Sequence, residues 1–263
     1  MIRGIDHLVI ACADPDAAAA ALESELGLAA TGGGRHAGRG SWNRIAWLAD
    51  GSYLELIGID DAALAGQSPV GAAAIRALEE HGGGLATFAL RVDDLEATAA
   101  GLRAAGSSLG PVVHGSRARG DGEVVEWWTS MPASRLGPTV PFLIQHAHVG
   151  VEWGPAAVAE RARFVHPLGS PVLLTRLDLA ASDPPTMAAD LHGELELDFW
   201  AVADLGVADI GPHVIRLVPR REMPVPAAVT LGADVPAPRT TELFGLRIGI
   251  ETVELPVPEP FPA

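Results

Sequence analysis

One strand, one acidic turn and one alanine-rich helix recur three times along this chain. The copies are HLVIACADPDAAAAALESELGL from His7, TFALRVDDLEATAAGLRAAGSSLG from Thr87 and RLDLAASDPPTMAADLHGELEL from Arg176. In each, an acid (Asp14, Asp94, Asp183) lies seven residues after the opening residue and closes the strand into the helix. Self-similarity of this kind marks a fold assembled from copies of one supersecondary unit. The opening residue changes from His to Thr to Arg, so the copies are not chemically equivalent.

The length, 263 residues, allows one or two domains with a large core. No apolar run approaches the roughly 18 to 20 residues of a membrane helix, and the run near the amino terminus is too short for a signal peptide. The expected location is cytoplasmic. Lys plus Arg total 18 against 33 Asp plus Glu, a formal net charge of -15, and no lysine occurs at all. Affinity for phosphate comes largely from clustered cations, so neither nucleic acid nor a membrane is expected as partner; a small molecule is. Cys12 is the only cysteine, which excludes an internal disulfide and a thiolate metal cluster and reads as a small core residue.

The first copy continues past its helix into a glycine-rich loop, GGGRHAGRGSWN, and two strand-like runs, NRIAWLAD and SYLELIGI, joined at Asp50-Gly51. The second run alternates Tyr53, Glu55 and Ile57 on one face with Leu54, Leu56 and Gly58 on the other. After a helical connector, VGAAAIRALEEHGGG, the second copy repeats the order, with a loop HGSRARGDGEV, a strand EVVEWWTS and a last strand VPFLIQHA. Aligning the two units by their ends puts Thr87 opposite His7 and Gln145 opposite Glu55. The expected organisation is an α+β fold with tandem βαβββ units over residues 1–147 (1–60 and 85–147) whose curved sheets form a cleft. A proline-bearing connector leads to a third, diverged unit over 171–263, and PRREMPVP and PVPEPFPA read as loops or a tail.

The segments GIDHLVIACADPD, GGGRHAGRGSWN, GSYLELIGI, LRVDDLEATAAGLRAAG and VPFLIQH resemble the vicinal oxygen chelate superfamily (the glyoxalase, bleomycin-resistance and dioxygenase fold), and within it the glyoxalase-like domain family. The resemblance covers residues 1–147 closely and the remainder in outline. It implies a cleft between two units and a divalent metal (Zn, Ni, Fe, Co or Mn) held by the residue opening the first strand and the acid of the last strand. Carried over, the metal positions are His7, Glu55, Thr87 and Gln145, of which Thr87 is a poor ligand, leaving His7, Glu55 and Gln145. A lyase or isomerase acting on a carbonyl compound with vicinal oxygens is the implied activity, with a homodimer as one arrangement.

In a cleft, His7 and Glu55 also make an acid/base pair without any metal. His36 and Asn43 are assigned to substrate, because the family pattern has Gly-Arg-His followed by Gly-Thr-x-Asn and Ser41 here replaces the Thr. Arg117 is a candidate for gripping a carboxylate or enolate, with pairing to Asp121 or Glu123 as the alternative; Arg119 lies in the same loop. Trp127 and Trp128 point to opposite faces, one able to line the cleft. His146 and His148 share a strand face but lack a third ligand, and are set aside. Two further classes stay open: a noncatalytic binder that sequesters a small molecule between aromatic walls, and a degenerate scaffold.

Overall fold

The computed structural model describes residues 1–118 and 122–254. Its first unit comprises β1 (Ile2–Ala11), α1 (Pro15–Leu26), β2 (Gly32–His36), β3 (Ser41–Trp47) and β4 (Tyr53–Ile59). The helices α2 (Ala62–Ala65) and α3 (Pro69–His81) lead to a second unit of β5 (Gly84–Val92), α4 (Leu95–Ala104), β6 (Val113–Ala118), β7 (Val124–Ser130) and β8 (Phe142–His146). A strap of two short helices, α5 (Gly150–Trp153) and α6 (Pro155–Arg161), follows. The carboxy-terminal part holds β9 (Val172–Ala181), α7 (Pro184–Leu195), β10 (Trp200–Val202), β11 (Leu205–Ile210) and β12 (His213–Pro219), then β13 (Ala227–Ala233), β14 (Arg239–Leu243) and β15 (Leu246–Thr252). PVPEPFPA, Arg119 and Asp121 lie outside the described residues.

The three repeated acids all occupy helix N-cap positions, where a side-chain oxygen can satisfy orphan backbone N–H groups. Asp14 accepts from the N–H groups of Asp16 and Ala17, and Asp94 from that of Ala97. Asp183 instead accepts the Thr186 hydroxyl at 2.7 Å. The glycine-rich stretch expected as a loop is mostly strand: β2 pairs antiparallel with β3 around a turn at Ala37–Gly40. Gly33 has φ of +116° and a Cβ there would come within 2.3 Å of the Asn43 carbonyl oxygen, so glycine is what lets β2 approach β3.

The strands form two curved sheets. One has the order β2-β3-β4-β1-β5-β8-β7-β6 and the other β10-β11-β12-β9-β13-β15-β14. In the first, β1 and β5 pair antiparallel at the centre, flanked by the parallel pairs β1/β4 and β5/β8. The second repeats this scheme, with β9 and β13 antiparallel between the parallel pairs β9/β12 and β13/β15. The described part of the third region, residues 171–254, thus carries a βαβββ unit followed by three further strands.

Apolar side chains on one face of each sheet meet in a shared core. Leu8, Ile10, Leu54, Leu56, Phe88 and Leu90 pack with Leu22 and Leu26 of α1, Leu95 and Leu102 of α4, Leu191 and Leu195 of α7, and Leu177, Leu179, Ile215 and Leu217 of the second sheet. The other face of the first sheet contributes Val9, Ala11, Ile57, Ala86 and Ala89 to a smaller cluster under Ala73, Ala74 and Ala77 of α3. Alanine on that helix allows close approach to the strands.

A polar joint ties the two sheets together. The N–H of Ile5 donates to His213 Nδ1 at 2.9 Å, which leaves the ring proton on Nε2 to reach Asp50 Oδ2 at 3.1 Å. The same Asp50 oxygen accepts from the N–H of Leu174 at 2.9 Å, while its other oxygen accepts from Ser52. Burial works against the Asp50 charge, but His213 and Ser52 outweigh it and hold the carboxyl below the ordinary aspartate range. Removing the imidazole leaves the buried Ile5 N–H without its acceptor and takes one of its donors from the buried Asp50 carboxylate, so His213→Ala should lower unfolding free energy by about 3 kcal/mol in urea denaturation. Because the Asp50 pKa is depressed by folding, its contribution is complete above the ordinary aspartate value and is lost as pH falls through the lowered one. Asp50→Asn should flatten that part of the acid stability profile.

Candidate active-site cleft

The first sheet carries a defect that shapes the site. Ile5 pairs with Leu90 and His7 with Ala89, so Asp6 is an extra residue in β1. Such a β-bulge breaks the alternation of faces. Asp6 and His7 accordingly both reach the concave side, where the Asp6 carboxylate and the His7 ring meet. Further along the same pair, Val9 faces Thr87 and Ile10 faces Leu85, so Ala86 is the extra residue in β5. The bulge recurs eighty residues on, with Ala in the place of Asp and Thr in the place of His.

Asp6 is fully buried, and its Oδ1 accepts from His7 Nδ1 at 2.8 Å and from His146 Nε2 at 3.0 Å. Burial opposes its charge, but His146 and His7 prevail and hold the carboxyl below the ordinary range. Tyr53 stacks on the His7 ring at 4.5 Å and Trp153 on the His146 ring at 3.6 Å, both at an interplanar angle of 13°. Phe142 meets His7 edge-on.

Glu55 stands opposite His7. Its Oε1 accepts from Asn43 Nδ2 at 2.6 Å, and its Oε2 lies 3.7 Å from His7 Nε2. His36 Nε2 lies 3.8 Å from Oε1, and His36 Nδ1 is 2.8 Å from the Ser41 hydroxyl. Asn43 is oriented by the Gly34 N–H, which donates to its Oδ1 at 3.0 Å. Burial pushes the His36 pKa down; Glu55 opposes this, while Arg117 and Arg39 add to it. Neutral His36 is therefore favoured in the fold, and the stability it supports falls as pH drops through the lowered value. An NMR titration should find the His36 midpoint below that of an ordinary histidine, and Arg39→Ala should raise it.

His7, His36, Asn43, Glu55, Arg117 and Trp127 all line one cleft with a volume of about 150 Å³. Gln145 does not join them: its Oε1 accepts from the N–H of Leu95 at 2.8 Å, on the α4 side of the sheet. The strand registers explain this. Val9 faces Glu55 in the first unit; Ala89, eighty residues after Val9, faces Phe142 in the second. Phe142 thus occupies the place of Glu55, and Gln145 has the wrong parity. Thr87 is buried and donates to the Val140 carbonyl at 3.0 Å. Arg117 Nη2 donates to both carboxylate oxygens of Glu152, at 2.8 and 2.9 Å, so its charge is engaged by the strap; of the two alternative partners, Asp121 lies outside the described residues. Trp128 packs against the core on the opposite face from Trp127.

Several residues in the cleft wall or just behind it escaped the sequence. His146, set aside above, lines the cleft, whereas His148 is exposed. Asp6 is hidden by the bulge. Glu152 and Trp153 arrive from a strap with no repeat signature, where Arg161 sits 4.1 Å from the Trp47 ring and 4.9 Å from the Trp153 ring. Arg39 lies at the cleft with its guanidinium 5.9 Å from the Trp127 ring, without an ion-pair partner among the described residues. Its turn is fixed by Gly40, where φ is +61° and a Cβ would approach the Asp61 carbonyl oxygen to 2.3 Å.

The donor set expected for a metal does not fit one: Gln145 faces away, and the described residues contain no group of three or more His, Cys, Asp or Glu arranged to hold an ion. No helix among them is long and apolar enough to cross a membrane. Gln145 acts instead as a cap for α4. Gln145→Ala should cost about 1 kcal/mol in thermal or urea denaturation, in the range of lost caps, with ligand affinity at the cleft unchanged.

Paired βαβββ units sharing one curved sheet around a polar cleft define a protein of the vicinal oxygen chelate fold. The family model described as Glyoxalase-like domain matches residues 5–195, and the chain belongs to that family. Among solved structures, a hypothetical protein from Staphylococcus aureus is similar over 96% of this chain and 100% of its own, with 13% identity and a TM-score of 0.78. A mutant of 4-hydroxymandelate synthase from Streptomyces coelicolor matches over 89% of this chain and 72% of its own, at 15% identity and a TM-score of 0.53. Methylmalonyl-CoA epimerase from Mycobacterium tuberculosis matches over 55% of this chain and 88% of its own, at 22% identity and a TM-score of 0.42. A search of curated proteins returns no match.

Proposed function

We propose that this protein is a small-molecule enzyme of the lyase or isomerase type that moves a proton on a carbonyl compound with vicinal oxygens. One observation carries the reading: the His7 imidazole has a carboxylate at each ring nitrogen, Asp6 at 2.8 Å from Nδ1 and Glu55 at 3.7 Å from Nε2. The second distance is too long for a hydrogen bond, and a reacting atom can sit on the cleft side about 3 Å from both groups. His7 Nε2 takes the proton next to the carbonyl, and the positive charge this creates lies between two negative groups. Glu55, held by Asn43, then carries a proton from one substrate oxygen to the other, and His7 gives its proton back to carbon, so the transfer leaves no net charge on the site. His36 and Asn43 orient the substrate oxygens, and Arg39 with Trp127 receives the remainder of the molecule.

The test is solvent deuterium exchange at the carbon next to the carbonyl, followed by proton NMR over a panel of small 2-hydroxy aldehydes and ketones. Wild type should exchange at least one of them, and His7→Ala or Glu55→Gln should slow it by about 100-fold or more. Exchange that survives both substitutions would sink the assignment. The sequestering reading is favoured by a different feature, the aromatic walls made by Trp47, Tyr53, Trp127, Phe142 and Trp153. Tight binding without exchange, unaffected by His7→Ala, would establish that alternative.

A further inference from the structure

Asp6 makes no contact with the cleft volume, yet both histidines on its two sides do. An ionised carboxylate only accepts hydrogen bonds, so each ring nitrogen that meets Asp6 Oδ1 must carry a proton. This sets His7 with its proton on Nδ1 and its Nε2 lone pair toward Glu55. It sets His146 with its proton on Nε2; its Nδ1 is buried and has no hydrogen-bond partner among the described residues, so a second proton there would have no acceptor. The stacked rings of Tyr53 and Trp153 keep the two imidazoles in plane with this clamp. The clamp joins β1 to β8, and therefore one unit to the other.

We propose that Asp6 is the positioning residue of this site: through one oxygen it selects the tautomers of His7 and His146 and leaves His7 Nε2 as the proton acceptor. The bulge that delivers it recurs in the second unit with Ala86, which has no acceptor, so the cleft has one such clamp instead of two. The tautomer assignment stands on the two hydrogen bonds to Asp6 Oδ1 and on the ionised state of that carboxyl, and its catalytic consequence rests on the proton-transfer reading above.

The experiment is a long-range proton–nitrogen NMR correlation of the full-length, nitrogen-15-labelled protein at pH 8, with His7→Ala and His146→Ala spectra to assign the rings. Wild type should show His7 in a single Nδ1–H form and His146 in a single Nε2–H form. In Asp6→Asn the side-chain amide can donate, so the protons of one or both rings should move to the opposite nitrogen. Where exchange activity is detected, kcat should fall at least about tenfold, as the wrong tautomer costs other imidazole bases. A wild-type His7 found as Nε2–H, as an even mixture or as a cation overturns the proposal, whether or not Asp6→Asn folds. Unchanged tautomers in a folded Asp6→Asn protein overturn it equally. Expected tautomers in a protein that exchanges no carbonyl compound would uphold the clamp while removing the proton-transfer reading.

Discussion

The burial of β1 on both faces governs the rest of the molecule. From Gly4 to Ala11 every residue of this strand is buried. One face meets the leucine-rich core shared with the second sheet, and the other forms the wall of the cleft. A strand so enclosed cannot leave polar groups to water, so their partners come from within the protein, although Asp6 Oδ2 has none among the described residues. Asp6 finds two histidines, His7 finds a carboxylate and a tyrosine ring, and the Ile5 N–H finds His213 of the other sheet. The joint between sheets and the chemistry of the cleft are thus successive residues of one strand.

The repeat accounts for the architecture and its erosion accounts for the site. Both units of the first sheet keep the N-cap acid, the helix, the central antiparallel pairing and even the bulge. The first unit places Asp6, His7 and Glu55 where the second has Ala86, Thr87 and Phe142. The acid and histidine groups of the concave face are therefore concentrated on the first unit, with His146 crossing from the second unit to share Asp6. The strap completes the enclosure, engaging Arg117 through Glu152 and covering His146 with Trp153. A cleft of this kind presents titratable groups along one wall and flat rings along much of the rest.

Much of the fold was legible because its signals are local. The seven-residue spacing to Asp14 and Asp94 marks strand followed by capped helix, and both acids cap as the spacing implies. The alternation of Tyr53, Glu55 and Ile57 against Leu54 and Leu56 places Glu55 on the concave face, since a strand has a period of two. The glycine stretch misled in one respect: glycine reads as loop, yet Gly33 is where β2 passes close to β3. The strands β11 and β14 carry weak patterns and gain their identity from the neighbours they pair with.

The chain by itself determined the repeated units, the capped helices, the inward faces of β4 and the pairing of His7 with Glu55 in one cleft. Tertiary structure decided which residues complete that cleft. A bulge or a register offset shifts a side chain by one position and so from one face to the other. Whether a strand bulges depends on its partner's length and pairing, which no local pattern records. That is why Asp6, adjacent in sequence to the most conspicuous histidine, and His146, beside the expected Gln145, emerged only once β1, β5 and β8 were set against one another.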